Sequence, residues 1–311
     1  MTAIAPEAIV PSPKEKVAAI SVMCLASLCF IAMHGFIKSV RGEVPVGVIL
    51  WSQFAFQSVI LTALFARHLP RILNPHMLGL QIARAVAQIA TIGIMFIAVG
   101  LMQLADAIAI GFVAPLLITA LSVAFLNEKV KAQHWLAILV GFGGVMIVIQ
   151  PGAGIFNAAA LWPLGAAFCA AIYQTMTRPI ARTVEPKTML YTATLVGLVT
   201  TSVALPFFWQ PVSNTEILWL LLISAISILS HLLSIKSLEL APAVILQPFN
   251  YFILVWAMVI GYSFYGEILE TTTLIGASLV IGSGVYIARR EYLVARAQRH
   301  RLRKAMYPPE A

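Results

Sequence analysis

One cation stands inside an apolar stretch long enough to cross a membrane: Arg84, in the run 77–101. At 1.5 Å per residue it lies roughly 10 Å from the start of that helix. A charge at such depth costs about 2.5–3.5 kcal/mol on insertion scales. Its guanidinium either faces a polar cavity, where it can fork onto an anionic group, or snorkels to the near surface or bonds to helix carbonyls. Gln88 follows by four residues and shares its face. That amide either lines the same cavity or bonds to a neighbouring helix. Asp106 is a poor counter-ion, because it begins the next apolar run at the far end of this one.

A second polar group, Gln247, Asn250 and Tyr251, has i, i+3, i+4 spacing around Pro248. Proline removes a ladder hydrogen bond and kinks a helix. Polar side chains beside a broken helix near mid-membrane are a signature of a solute site. Pro115 stands at a comparable place earlier in the chain and fits a matching hinge. His231 and His34 could exchange protons near neutral pH, or serve only as hydrogen-bonded interior groups. Tyr173 and Gln174 are a further polar pair inside an apolar run. Glu128 and Glu267 fall in short loops at helix ends, where a structural role is expected.

The absences are equally informative. Neither an HExxH, a GxSxG nor a Walker-type glycine loop is present. No Asp or Glu sits at the middle of an apolar run. Cys24, Cys29 and Cys169 are odd in number and lie in apolar surroundings, unlike a disulfide frame or a zinc site. The expectation is therefore a non-enzyme with no catalytic set, no metal and no cofactor.

Composition supplies the setting. The 311 residues are 60% hydrophobic and only 10% charged, with a mean hydropathy of +0.93. Soluble domains carry about 25% charged residues, so most of this chain must face lipid or other lipid-embedded helices. Ten apolar runs of spanning length are expected: 17–39, 46–66, 77–101, 105–126, 132–150, 160–180, 188–208, 216–236, 242–264 and 273–290. The fold expected is all-α, with a polar, disordered N-terminal tail at 1–16 and a basic C-terminal tail at 291–311. With the N-terminus in the cytoplasm, 17 Lys/Arg fall inside and only Lys38 and Arg41 outside. Seven of the basic residues lie between Arg289 and Lys304, which suits the anionic cytoplasmic leaflet. Nothing around them resembles a nucleic-acid reading element.

The chain also repeats. Residues 17–150 and 151–290 follow one plan: Cys29 stands opposite Cys169, His34 opposite Gln174, Lys38 opposite Arg178, and Glu128 opposite Glu267. Matching Leu104-Ala105 to Leu240-Ala241 and Pro115 to Tyr251 requires a net insertion of about three residues. Five spans per copy is an odd number, so the second copy must enter the membrane inverted.

With its LNEKV and YGEIL loops and the run HLLSIKSLELAPAVILQPFNYFILVWAMVIGYSFYGE, the sequence resembles the drug/metabolite transporter superfamily, EamA type. It is similar to the branch that includes S-adenosylmethionine-uptake-like and riboflavin-uptake-like carriers alongside many metabolite exporters. The resemblance implies a ten-helix carrier in the bacterial inner membrane, with a central cavity and both termini cytoplasmic. It also implies alternating access for a small organic metabolite, by facilitated diffusion or exchange. The metabolite expected is anionic or zwitterionic and amino-acid-like, nucleoside-like or vitamin-like. A non-transporting accessory subunit and an intramembrane lipid-modifying enzyme are the alternatives. Gly141, Gly143, Gly144, Gly282 and Gly284 favour close helix packing within one chain or in a homo-oligomer.

Overall fold

The computed structural model describes residues 13–65, 77–126, 132–149, 158–181, 183–241, 246, 249, 251–268 and 270–306. Glu128, Gln247, Pro248 and Asn250 lie outside these residues. Among the described residues eleven α-helices follow in order: α1 Pro13–Val40, α2 Val46–Phe65, α3 Leu78–Leu101, α4 Leu104–Gly111, α5 Ala114–Leu126, α6 Ala132–Ile149, α7 Leu161–Ile180, α8 Pro186–Phe208, α9 Asn214–Leu240, α10 Phe252–Tyr265 and α11 Thr271–Met306. Every regular element among the described residues is helical. Seven helical stretches among the described residues are long and apolar enough to span a bilayer, and Leu139–Ile149, Phe252–Tyr265 and Thr271–Tyr286 are shorter apolar helices. Phe207, Phe264 and Phe125 stand 83%, 79% and 74% exposed, as side chains that face lipid would. The chain is a multi-pass, all-α membrane protein.

Helix ends follow local chemistry. Ser213 caps α9 in a reciprocal capping box with Glu216. Gly266 ends α10 in the left-handed conformation, φ 61°, that glycine adopts without strain. The fourth apolar run is broken into α4 and α5. Phe112 N–H is shared between the carbonyls of Ile108 and Ala109, which tightens the last turn of α4. Pro115 then sits in the first turn of α5, where its missing N–H costs nothing. α1 starts at Pro13, inside the segment 1–16 expected to be disordered, and α11 runs on through the basic segment to Met306.

Helices of the first repeat pack on those of the second in exchange-related pairs: α1 on α9 and α3 on α7, α2 on α8, and α6 on α11. Their directions follow from side-chain contacts. Trp51 bonds to Ser202 while Thr62 bonds to Tyr191, so α2 and α8 are antiparallel. Gly141 faces Ser283 and Gly144 faces Val280, so α6 and α11 are antiparallel as well. Helices related by the repeat thus run in opposite directions, which defines inverted repeats.

The structure also revises the register between the copies. The extended residue that ends α3, Met102 (φ −145°, ψ 176°), has its equivalent 139 positions on in Ala241 (φ −150°, ψ 149°), which ends α9. Glu128 and Glu267 are separated by the same 139, so no insertion is needed. At this spacing Phe112, not Pro115, is the equivalent of Tyr251. The two rings stack on each other with centroids 5.1 Å apart.

Candidate functional site

The α3–α7 contact holds the intramembrane cation. Arg84 is 9% exposed. Its Nε–H donates to Thr177 Oγ1 at 2.7 Å, and the Thr177 hydroxyl donates in turn to the Tyr173 carbonyl at 2.7 Å. The guanidinium carbon lies 5.9 Å from the centroid of the Tyr173 ring, within cation–π range. Among the described residues no carboxylate lies within ion-pair distance of Arg84. One turn further along α3, Gln88 keeps a buried Oε1 without a hydrogen-bond partner. Tyr173 also packs against the cluster around the α4–α5 break, which includes Ile110 and Val113.

A cavity of ≈ 200 Å³ lies between α1, α9 and the start of α10. Ser27, Phe30, Ser230, His231, Ser234 and Ile253 are on its wall. His231 Nδ1 bonds to the Ser227 carbonyl at 2.8 Å, so this nitrogen donates and Nε2 is left as an acceptor. Ser230 donates to the Ala26 carbonyl at 3.0 Å, across the α1–α9 contact. Beside this wall, the Gln53 amide of α2 donates to Ser227 Oγ, and its Oε1 is buried without a partner.

The structure separates the residues singled out from sequence. His231 is on the cavity wall, whereas Arg84, Gln88 and Tyr173 belong to the α3–α7 contact. His34 is 2% exposed, between the rings of Phe30 and Phe96, with Nδ1 2.8 Å from the Phe30 carbonyl. Gln174 is on the exposed face of α7. Tyr251 stacks on Phe112 and fills the space over Gly284, where a Cβ would overlap its hydroxyl. Pro115 is exposed at the start of α5. The serines beside His231 were not singled out from sequence, although Ser227, Ser230, His231 and Ser234 have helical i, i+3, i+4, i+7 spacing, a polar stripe that was there to be read.

The model of the EamA-like transporter family matches the chain twice, over residues 17–150 and 157–289. The chain belongs to the EamA-like transporter family. This EamA-like transporter is 33% identical over 196 residues to a riboflavin transporter of Vibrio cholerae, covering 62% of this chain and 65% of that one. It is 28% identical over 182 residues to an S-adenosylmethionine uptake transporter of Rickettsia bellii, covering 58% and 62%. A pseudopaline exporter of Pseudomonas aeruginosa is 24% identical over 271 residues, covering 85% and 94%. The chain thus spans just under two thirds of the first two relatives. A solved crystal structure shares the fold, with a TM-score of 0.62 at 17% identity over 88% of this chain and 98% of its own.

Proposed function

We propose that this chain is a secondary carrier for a small anionic or zwitterionic organic metabolite, working by alternating access as a facilitator or exchanger. The observation that supports this most directly is Arg84: a guanidinium 9% exposed, bonded to a neutral hydroxyl and an aromatic face, with no carboxylate in reach among the described residues. A buried charge without a counter-charge is costly, and an anionic group on the solute supplies one. Gln88, one turn away, offers a carbonyl oxygen for a donor on the same solute. His231 and the serines beside it line a cavity apart from the α3–α7 contact and offer neutral hydrogen-bonding groups there. S-adenosylmethionine-like and amino-acid-like solutes combine such groups, whereas riboflavin, uncharged near neutral pH, would offer Arg84 only ring carbonyls. The positive-inside bias of the basic residues supports both termini lying on the cytoplasmic side of a bacterial inner membrane, with the end of α11 near the anionic leaflet.

Thermal unfolding of the purified protein in detergent, with riboflavin, S-adenosylmethionine, amino acids and small carboxylates added one at a time, tests the site. One class should raise the melting temperature of the wild type and leave that of Arg84→Ala unchanged. Equal stabilisation of both proteins would remove Arg84 from the solute site.

A further inference from the structure

The polar atoms around the cavity between α1, α9 and the start of α10 have a common polarity: they accept hydrogen bonds. Ser27 donates its hydroxyl to the Cys24 carbonyl at 2.8 Å, and Ser230 donates to the Ala26 carbonyl at 3.0 Å. Each proton is thereby committed to a helix backbone, and what remains on each oxygen is lone pairs. His231 repeats the pattern. Its Nδ1–H is held by the Ser227 carbonyl, so a neutral ring keeps Nε2 as an acceptor. Gln53 of α2 donates to Ser227 Oγ, beside that anchor. Phe30 and Met23, also on the wall, act in the same sense: an aromatic face attracts cations, and a thioether sulfur accepts weakly. None of the described wall residues carries a carboxylate, a guanidinium or an ammonium.

A carboxylate or a ring carbonyl in this cavity would set lone pairs against lone pairs. An N–H group would satisfy them. Size limits the guest as well: a cavity of about 150 Å³ holds benzene, so ≈ 200 Å³ takes a single ring or a short amine. The α3–α7 contact has the opposite polarity, because Arg84 brings donors and positive charge. We infer, on the carrier reading, that this cavity receives an N–H-bearing group of the solute, an ammonium or an aromatic amine, with His231 Nε2 and the Ser27 and Ser230 oxygens as its acceptors. The solute is thereby narrowed to one that carries such a group.

The test uses the full chain in proteoliposomes and a set of one-ring probes. Benzylamine carries an ammonium at neutral pH, and aniline a neutral amino group. Ethylbenzene and toluene match them in shape without an N–H, and benzoate offers acceptors alone. Radiolabelled benzylamine should bind saturably and be displaced by aniline. Ethylbenzene, toluene and benzoate should each compete about tenfold more weakly or worse. With isotopically labelled histidine, the nitrogen resonance of His231 Nε2 should show no attached proton beforehand, and should move with benzylamine but not with ethylbenzene. His231→Phe should lose the binding, whereas His231→Gln, which keeps an acceptor, should retain most of it. Equal competition by ethylbenzene, or an Nε2 that already holds a proton, would overturn the site. Binding selective for N–H in a protein that exchanges no solute would keep the site and overturn the carrier reading. Solute exchange by a protein without that selectivity would do the reverse.

Discussion

At the scale of the residue, the decisive feature is a cation held by neutral partners. Arg84→Ala should abolish saturable transport, because it removes the charge on which the solute's anion would rest. Arg84→Lys should retain weak transport, since a point charge cannot replace the forked donor. Thr177→Val should leave Nε without its acceptor and cost about 1–3 kcal/mol of stability, read from denaturant or thermal unfolding. Arg84 was legible in the sequence because one charge in an apolar helix stands out. Its partners were less so. Tyr173 was noticed for its polarity alone, and Thr177 was not noticed, because a threonine one turn from a tyrosine is unremarkable until α3 lies against α7. Lys38 and Glu267 were read separately, as a flanking basic residue and a loop acid. They are 229 positions apart, and nothing local signals that they meet.

At the scale of the element, hydropathy located seven helices that are long and apolar enough to cross among the described residues, and three shorter apolar ones, because a helix in lipid must satisfy its own backbone and needs a fixed length to cross. It did not show that the fourth run is two helices. That break depends on a tightened turn at Phe112, and a window average passes over it. The register of the repeat was misjudged for a related reason. Sequence identity favoured Leu104-Ala105 against Leu240-Ala241, whereas the structure aligns the helix ends at Met102 and Ala241. Glycines in α6 give a direct check on packing. A Cβ at Gly144 would meet the Gly276 carbonyl oxygen at 2.7 Å and Leu279 Cβ at 3.0 Å, whereas one at Gly143 meets nothing within 4 Å. Gly144→Ala should therefore destabilise the protein by about 1–3 kcal/mol. Gly143→Ala should be neutral or stabilising by up to about 1 kcal/mol. Thermal unfolding of the two variants side by side distinguishes them. Gly284→Ala should displace the Tyr251 ring from Phe112 and disturb the contact between the start of α10 and the α4–α5 break.

At the scale of the whole molecule, an odd number of spans per repeat forces inversion, and the antiparallel α2–α8 and α6–α11 contacts carry it into three dimensions. A fold built this way has two related conformations open to opposite sides. In this structure ties between the repeats gather at the Lys38 end, and the described cavity lies on the other side of Phe30 from Lys38. The central claim is that the bundle alternates between those conformations around a bound solute. Counterflow tests it most directly: proteoliposomes preloaded with unlabelled riboflavin or S-adenosylmethionine, then given the same compound radiolabelled outside. The account predicts transient accumulation of label for one such solute class, saturable, stimulated by the internal compound, and absent in Arg84→Ala. Label that entered at the same rate with or without internal compound, and without saturation, would contradict it.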